Sequence, residues 1–137
     1  MTPEKITIKA IIQSNKQKVW EYYTAPNHIT QWNFADVSWH CPTASNDLSI
    51  GGKYFARMEA KDGSVGFDLI AFYTDIEIGS KLTYAFEGRI VNIFFTEHGE
   101  QTEVMIIFDP ETEHPLELQK QGWQAILNNF KSYAESK

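Results

Sequence analysis

Few side chains in this sequence that can ligate a metal, attack a carbon or move a proton fall at spacings that bring them together. The four histidines, His28, His40, His98 and His114, show no HxxH, HExxH or CxxC spacing of the kind that holds a metal. His40 and Cys41 are adjacent, and side chains on neighbouring residues diverge, so a thiolate–imidazole pair is not expected. There is no serine-nucleophile motif. Gly51-Gly52 opens a strand rather than a helix, so it lacks the helix-end donors of a phosphate loop. The remaining candidates are phenolic. Tyr22, Tyr54, Tyr73 and Tyr84 are candidates to orient a ligand hydroxyl or to act as an acid, against the plainer role of buried tyrosines bonded to backbone carbonyls. No catalytic residue, metal or cofactor is assigned, and a binding role is favoured over an enzymatic one.

The elements that would position these residues follow from hydrophobic periodicity. Residues 5–13 alternate as a half-buried strand with Ile6, Ile8, Ala10 and Ile12 inward, and Ser14-Asn15 supplies a turn and helix cap. A short helix over 16–24 carries Val19, Trp20 and Tyr23 on one side; Pro26 stops it and opens a second short helix through Ile29 and Trp32. Residues 34–39 are a candidate strand and CPTASND, 41–47, a polar loop. At the far end, Leu116, Trp123, Ile126, Leu127, Phe130, Tyr133 and Ala134 recur every three or four residues, the period of one helical face. Pro115 suits the first helical position, and Glu113 and Glu117 suit the positive end of the dipole.

Between these, the turns set a register. Asp62-Gly63 as a type I′ turn pairs Met58 with Phe67, Ala56 with Leu69 and Tyr54 with Ala71. Glu87-Gly88 pairs Tyr84 with Val91 and Leu82 with Ile93; Gly99-Glu100 pairs Phe95 with Val104, Ile93 with Ile106 and Val91 with Phe108. A short loop at 76–79 puts Tyr73 opposite Tyr84. One sheet face therefore becomes apolar throughout, and at roughly 1.5–3 kcal/mol for each large side chain buried, it must be covered. The last helix is its cover. The other face mixes Arg57, Glu59, Asp68, Asn92 and Glu103 with Phe55, Ile70, Phe72, Phe94, Met105 and Ile107, more apolar than a solvated face needs.

Composition narrows the partners. The chain has 137 residues, a net charge of −6 and 14% aromatic residues, which is enough for one substantial core and repels nucleic acid and anionic membrane surfaces. A lone cysteine, no apolar leader and no stretch long enough to span a membrane make a cytoplasmic protein of one domain, 1–137, monomer or homodimer, the expectation.

Four stretches carry a family resemblance: KVWEYYTAPNHITQW (18–32), IGGKYFARMEAKDGSVGFD (50–68), EGR (87–89) and GWQAILNNFKSY (122–133). Together, and in this order, they resemble the SRPBCC superfamily with its helix-grip or START-like fold, and most of all the family of the C-terminal domain of the activator of the heat-shock protein 90 ATPase. The resemblance implies an α+β helix-grip fold, with a curved antiparallel sheet of about six to seven strands wrapped on a long C-terminal helix and two short helices after strand 1. It also implies a hydrophobic cavity between sheet and helix. The chain is too short to include the activator's separate N-terminal domain, so ATPase stimulation is not carried over.

The cavity's expected lining is Trp32, Tyr54, Met58, Phe67, Leu69, Tyr84, Phe86 and Phe95, with Trp123, Leu127 and Phe130 from the helix. An ordinary filled core would use the same residues. Gly122 either permits a close approach of the sheet or is a tolerated first-turn glycine. Arg57, Glu59 and Asp68 are either cross-strand ion pairs on the mixed face or polar anchors within the cavity. The expected partner is a small hydrophobic or aromatic molecule; the alternatives are a protein-interaction module acting as a chaperone cofactor, or a polyketide cyclase/aromatase-like enzyme.

Overall fold

The computed structural model describes residues 4–137. Strand β1 (Ile6–Ile12) leads into α1 (Lys16–Thr24) and α2 (Pro26–Trp32); β2 (Trp39–Asn46), β3 (Lys53–Ala60), β4 (Gly66–Glu77), β5 (Lys81–Phe86), β6 (Arg89–His98) and β7 (Gln101–Phe108) follow, then α3 (Leu116–Glu135). The strands form one curled antiparallel sheet in the order β1-β7-β6-β5-β4-β3-β2. From β2 to β7 every connection is a hairpin, and the first strand returns to pair with the last.

Local chemistry accounts for the boundaries. The Asn15 side chain accepts from the Lys18 backbone N–H at 2.9 Å and starts α1. Pro26 opens α2, where a missing N–H costs nothing. Pro115 stands one residue outside α3, as its N-cap, and Glu117 lies in the first turn.

The hairpin register is the one the turns dictate: Met58 faces Phe67, Tyr73 faces Tyr84, Tyr84 faces Val91 and Phe95 faces Val104. The turn types differ. Glu87, at φ 51°, and Gly88, at φ 75°, have the two left-handed residues of a type I′ turn. Asp62 is not left-handed, and that hairpin closes through Gly63 N–H to the Ala60 carbonyl at 3.0 Å and Ala60 N–H to the Val65 carbonyl at 3.0 Å. The loop grows symmetrically about the same centre, so the register survives the change.

Two expectations near β2 are corrected. Residues 34–38 are not a strand, and most of the stretch expected to be a polar loop, 41–47, lies within β2. The reason is its position at the sheet edge. β2 pairs only with β3, and its register slips between His40 and Thr43, which leaves Pro42 at an irregularity where no ladder N–H is required.

The concave face is the core. Ile93, Val104 and Phe108 are fully covered from above by α1, α2 and α3, whose Val19, Ile29 and Phe130 are equally buried. Phe67 departs from the expected pattern: it lies on this face, beside the cavity, but is 51% exposed.

Candidate functional site

Helix α3 rests on β1 and on α1 and α2 rather than on the middle strands. The sheet curls away beneath it, and a cavity of about 740 Å³ lies between the two, within the usual range for small-molecule pockets. Its sheet wall is Tyr54 and Met58 of β3, Phe67 and Leu69 of β4, and Tyr84 and Phe86 of β5. Its helical wall is Gly122, Trp123, Ile126 and Leu127, and Tyr23, Trp32 and Asn33 close the buried end.

Two residues expected in the lining are elsewhere. Phe95 packs edge-on against Trp20 and Tyr23, with ring centroids 5.1 Å and 5.5 Å away, and Phe130 stands behind Tyr23 and Trp32 at 5.1 Å and 5.0 Å. Both form the layer that holds the lining in place. The polar-anchor alternative for Arg57, Glu59 and Asp68 is also corrected, because the three lie on the outer face. Arg57 donates from Nε to Glu59 at 2.8 Å and from Nη1 to Asp68 at 3.2 Å. Those hydrogen bonds, Glu59 first, raise the Arg57 pKa, and the Arg57 bond lowers that of Glu59.

Gly122 does not serve a close approach either. A Cβ placed there would meet no heavy atom within 4 Å outside its own helix. The missing side chain leaves room in the cavity instead.

Tyrosines dominate the polar surface inside. Tyr54 and Tyr84 stack with planes 4° apart and centroids 6.0 Å apart. Asn33 Nδ2 donates to the Tyr54 hydroxyl at 3.2 Å. Burial raises the pKa values of Tyr23, Tyr54 and Tyr84, and the proximity of the other phenols raises them further, so all three stay protonated at neutral pH. Tyr73 lies outside the lining; its hydroxyl donates to Asn46 at 2.7 Å, and burial pushes its pKa up to about 12. Tyr22 is also outside, edge-on to His28 and Tyr133.

The mouth is polar and is built by Glu87, Arg89, the 111–114 loop and the first turns of α3. Arg89 lies over the Phe86 ring at 4.3 Å and reaches Glu87 at 3.3 Å. Gln119, buried on α3, latches the loop: its Nε2 donates to the Glu111 carbonyl at 3.1 Å and the His114 carbonyl at 2.8 Å, and its Oε1 accepts from the Glu111 N–H at 2.9 Å. Glu111, Glu113 and His114 bring ligand atoms within 4.8 Å of one another. The Glu111 carboxylate is already occupied by the Glu113 and His114 backbone N–H groups, and the cluster is a loop cap. Burial would raise the Glu111 pKa, but these hydrogen bonds bring it below the usual value.

Sequence reasoning missed Tyr23 and Asn33 at the buried end and Arg89, Gln119 and the 111–114 loop at the mouth. EGR (87–89) and the Trp32-Asn33 pair held the available signal.

The family model described as "Activator of Hsp90 ATPase homolog 1-like protein" matches residues 13–135. This chain belongs to that family. Its fold is the helix-grip fold of the SRPBCC superfamily. The AHSA1-like protein of Aeromonas hydrophila, solved in solution, is 39% identical with a TM-score of 0.92, covering 97% of this chain and 93% of its own. Chr148 of Cytophaga hutchinsonii is 44% identical with a TM-score of 0.83, covering 96% and 92%. CV1439 of Chromobacterium violaceum, at 18% identity and a TM-score of 0.84 over 97% and 99%, shares the fold. Comparison with curated proteins gave no match. Among the described residues, no helix of this AHSA1-like chain is long and apolar enough to cross a membrane.

Proposed function

We propose that this AHSA1-like protein binds a small hydrophobic or aromatic molecule between the sheet and α3. The observation that carries the reading is the 740 Å³ cavity walled by aromatic rings on both sides and left open along α3 by Gly122. Burial of an apolar ligand there gains roughly 25 cal/mol for each Å² removed from water, and Trp32 and Trp123 in the wall report its arrival. The test is native mass spectrometry together with tryptophan fluorescence against aromatic and fatty-acid ligands. Gly122→Phe, which projects a ring into the cavity from α3, should weaken any response markedly while leaving the protein folded. A response unchanged in that variant places the ligand elsewhere and ends the reading.

A second reading, a protein-interaction module such as a chaperone cofactor, draws on the outer sheet face. Phe55 and Ile70 are cross-strand partners there, Phe72 pairs with Ala85, and Ala85 with Ile90. Ile70 and Phe72 are 41% and 50% exposed, so the strip is continuous and open. Titration of the isotopically labelled protein with purified Hsp90 should perturb this strip, and Phe72→Glu should remove the effect. Perturbation confined to the cavity mouth would reject the outer face as the contact.

A further inference from the structure

Which ligand the cavity selects follows from its unspent hydrogen-bonding capacity. Tyr73 has donated its proton to Asn46 at 2.7 Å. Tyr54 has only accepted, from Asn33 at 3.2 Å, and its own proton is free to give. The hydroxyls of Tyr23 and Tyr84 have no hydrogen-bond partner among the described residues, although Tyr84 is only 8% exposed. No side-chain oxygen or nitrogen among those residues is both fully sealed and unpartnered. The Tyr23 and Tyr84 oxygens therefore touch open space, and the open space they line is the cavity.

Resting on the binding reading above, we propose that the ligand enters oxygen first: a neutral, largely apolar carbonyl compound whose acceptor oxygen takes hydrogen bonds from the hydroxyls of Tyr84, Tyr54 and Tyr23 at the buried end. Donors without acceptors in a desolvated site discriminate strongly between analogues, because the analogue lacking the oxygen leaves them unpaired. The three phenols hold their protons at neutral pH, as burial dictates, so they present donors rather than phenolate charge.

The choice of a neutral oxygen over a carboxylate follows from the charges. Among the described residues, the one side chain of fixed positive charge in the lining is Arg89, whose charge is felt at the Tyr84 hydroxyl. Arg89, on the mouth side, is paired with Glu87 at 3.3 Å, and Glu111 and Glu113 add two further carboxylates to the same rim. A carboxylate ligand would pass an acidic mouth and then give up its hydration against a cation already paired with Glu87.

Three probes on one skeleton separate these possibilities at pH 7: 2-acetylnaphthalene, 2-ethylnaphthalene and 2-naphthoate, titrated by tryptophan fluorescence and calorimetry. The ketone should bind at least about tenfold tighter than the hydrocarbon, which corresponds to roughly 1.4 kcal/mol, and tighter than the carboxylate. In Tyr84→Phe the ketone-to-hydrocarbon ratio should fall severalfold, and in Tyr23→Phe/Tyr54→Phe/Tyr84→Phe to within about twofold, while the hydrocarbon's own affinity holds. The wild-type ratio needs no variant to fold. Equal binding of ketone and hydrocarbon, a ratio unmoved by the substitutions, or tightest binding of 2-naphthoate would overturn the oxygen-first proposal and leave a hydrophobic cavity standing. Failure of all three probes to bind would overturn the binding reading with it.

Discussion

Phe108 and Trp123 stack face to face, ring centroids 3.8 Å apart and planes 12° apart. Phe108 ends β7 and is fully buried; Trp123, on α3, is half-buried and forms cavity wall. Beside the cavity, the stack therefore joins the sheet to the helix. Phe108→Ala should cost about 3–5 kcal/mol, as large aromatic truncations in cores do, measured by urea denaturation. It should also red-shift Trp123 emission by admitting water. A loss below about 1 kcal/mol would show that the stack contributes little to closure.

Gly122 offers the opposite test, a gain. A helical glycine costs about 1 kcal/mol relative to alanine, and nothing within 4 Å opposes an added Cβ. Gly122→Ala should raise stability by about 0.5–1 kcal/mol in the same denaturation experiment. A loss would mean that the helix approaches the sheet more closely here than the 4 Å clearance allows.

The contrast between the two residues reflects what the sequence made legible. Register was readable because each hairpin centre is marked by its turn residues: with Asp62-Gly63 in the middle, Met58 must face Phe67 whatever the turn type. Whether the apolar face was filled or hollow was not readable, since Tyr54, Tyr84 and Trp123 serve either arrangement. That outcome depends on how far α3 stands from the middle strands, a distance set by α1 and α2 packing beneath it. For the same reason Phe95 and Phe130 were misplaced, because the rotation of two inserted helices decides whether Tyr23 or Phe130 reaches the cavity. Pro42 and its polar neighbours looked like loop because an edge strand tolerates what an interior strand cannot.

Two buried tyrosines should respond differently to loss of their hydroxyls. Tyr73→Phe removes the donor to Asn46 and leaves that amide oxygen short of a partner, at a cost of about 1–2 kcal/mol. Tyr84→Phe removes a hydroxyl with no protein partner among the described residues and should change stability by less than about 0.5 kcal/mol, since no pairing is broken. Thermal denaturation of both variants side by side checks the difference; equal losses would show that Tyr84 makes a bond of its own.

At high pH the same phenols should make unfolding cooperative with ionisation. Burial raises the pKa values of Tyr23, Tyr54 and Tyr84 above the ordinary value near 10, and that of Tyr73 to about 12. Their folded-state preference for the neutral form is fully present below about pH 10 and is lost as pH rises through the folded values, because the unfolded chain releases these protons first. Tyrosinate absorbance at 295 nm should therefore rise steeply for the buried set, coincident with loss of the far-UV signal. Gradual ionisation of all six tyrosines in a chain that stays folded would contradict the burial.

The acid limb depends on Asp109. Its carboxylate pairs with Lys5 and accepts the Ile90 N–H at 2.9 Å, tying the residues just before β1 and just after β7 to the start of β6. Those bonds, Lys5 first, hold its pKa below the usual carboxylate value near 3.9. A depressed carboxylate contributes stability that is present above its unfolded pKa and lost as pH falls through the folded one. Asp109→Asn keeps the shape and loses the charge, so it should be less stable than wild type at pH 7, and the difference should shrink steadily below about pH 4. Added salt should narrow the gap at pH 7 as well, because the Lys5 side of the pair is half open to solvent. A difference that is the same at pH 7 and pH 3 would assign the effect to shape rather than charge.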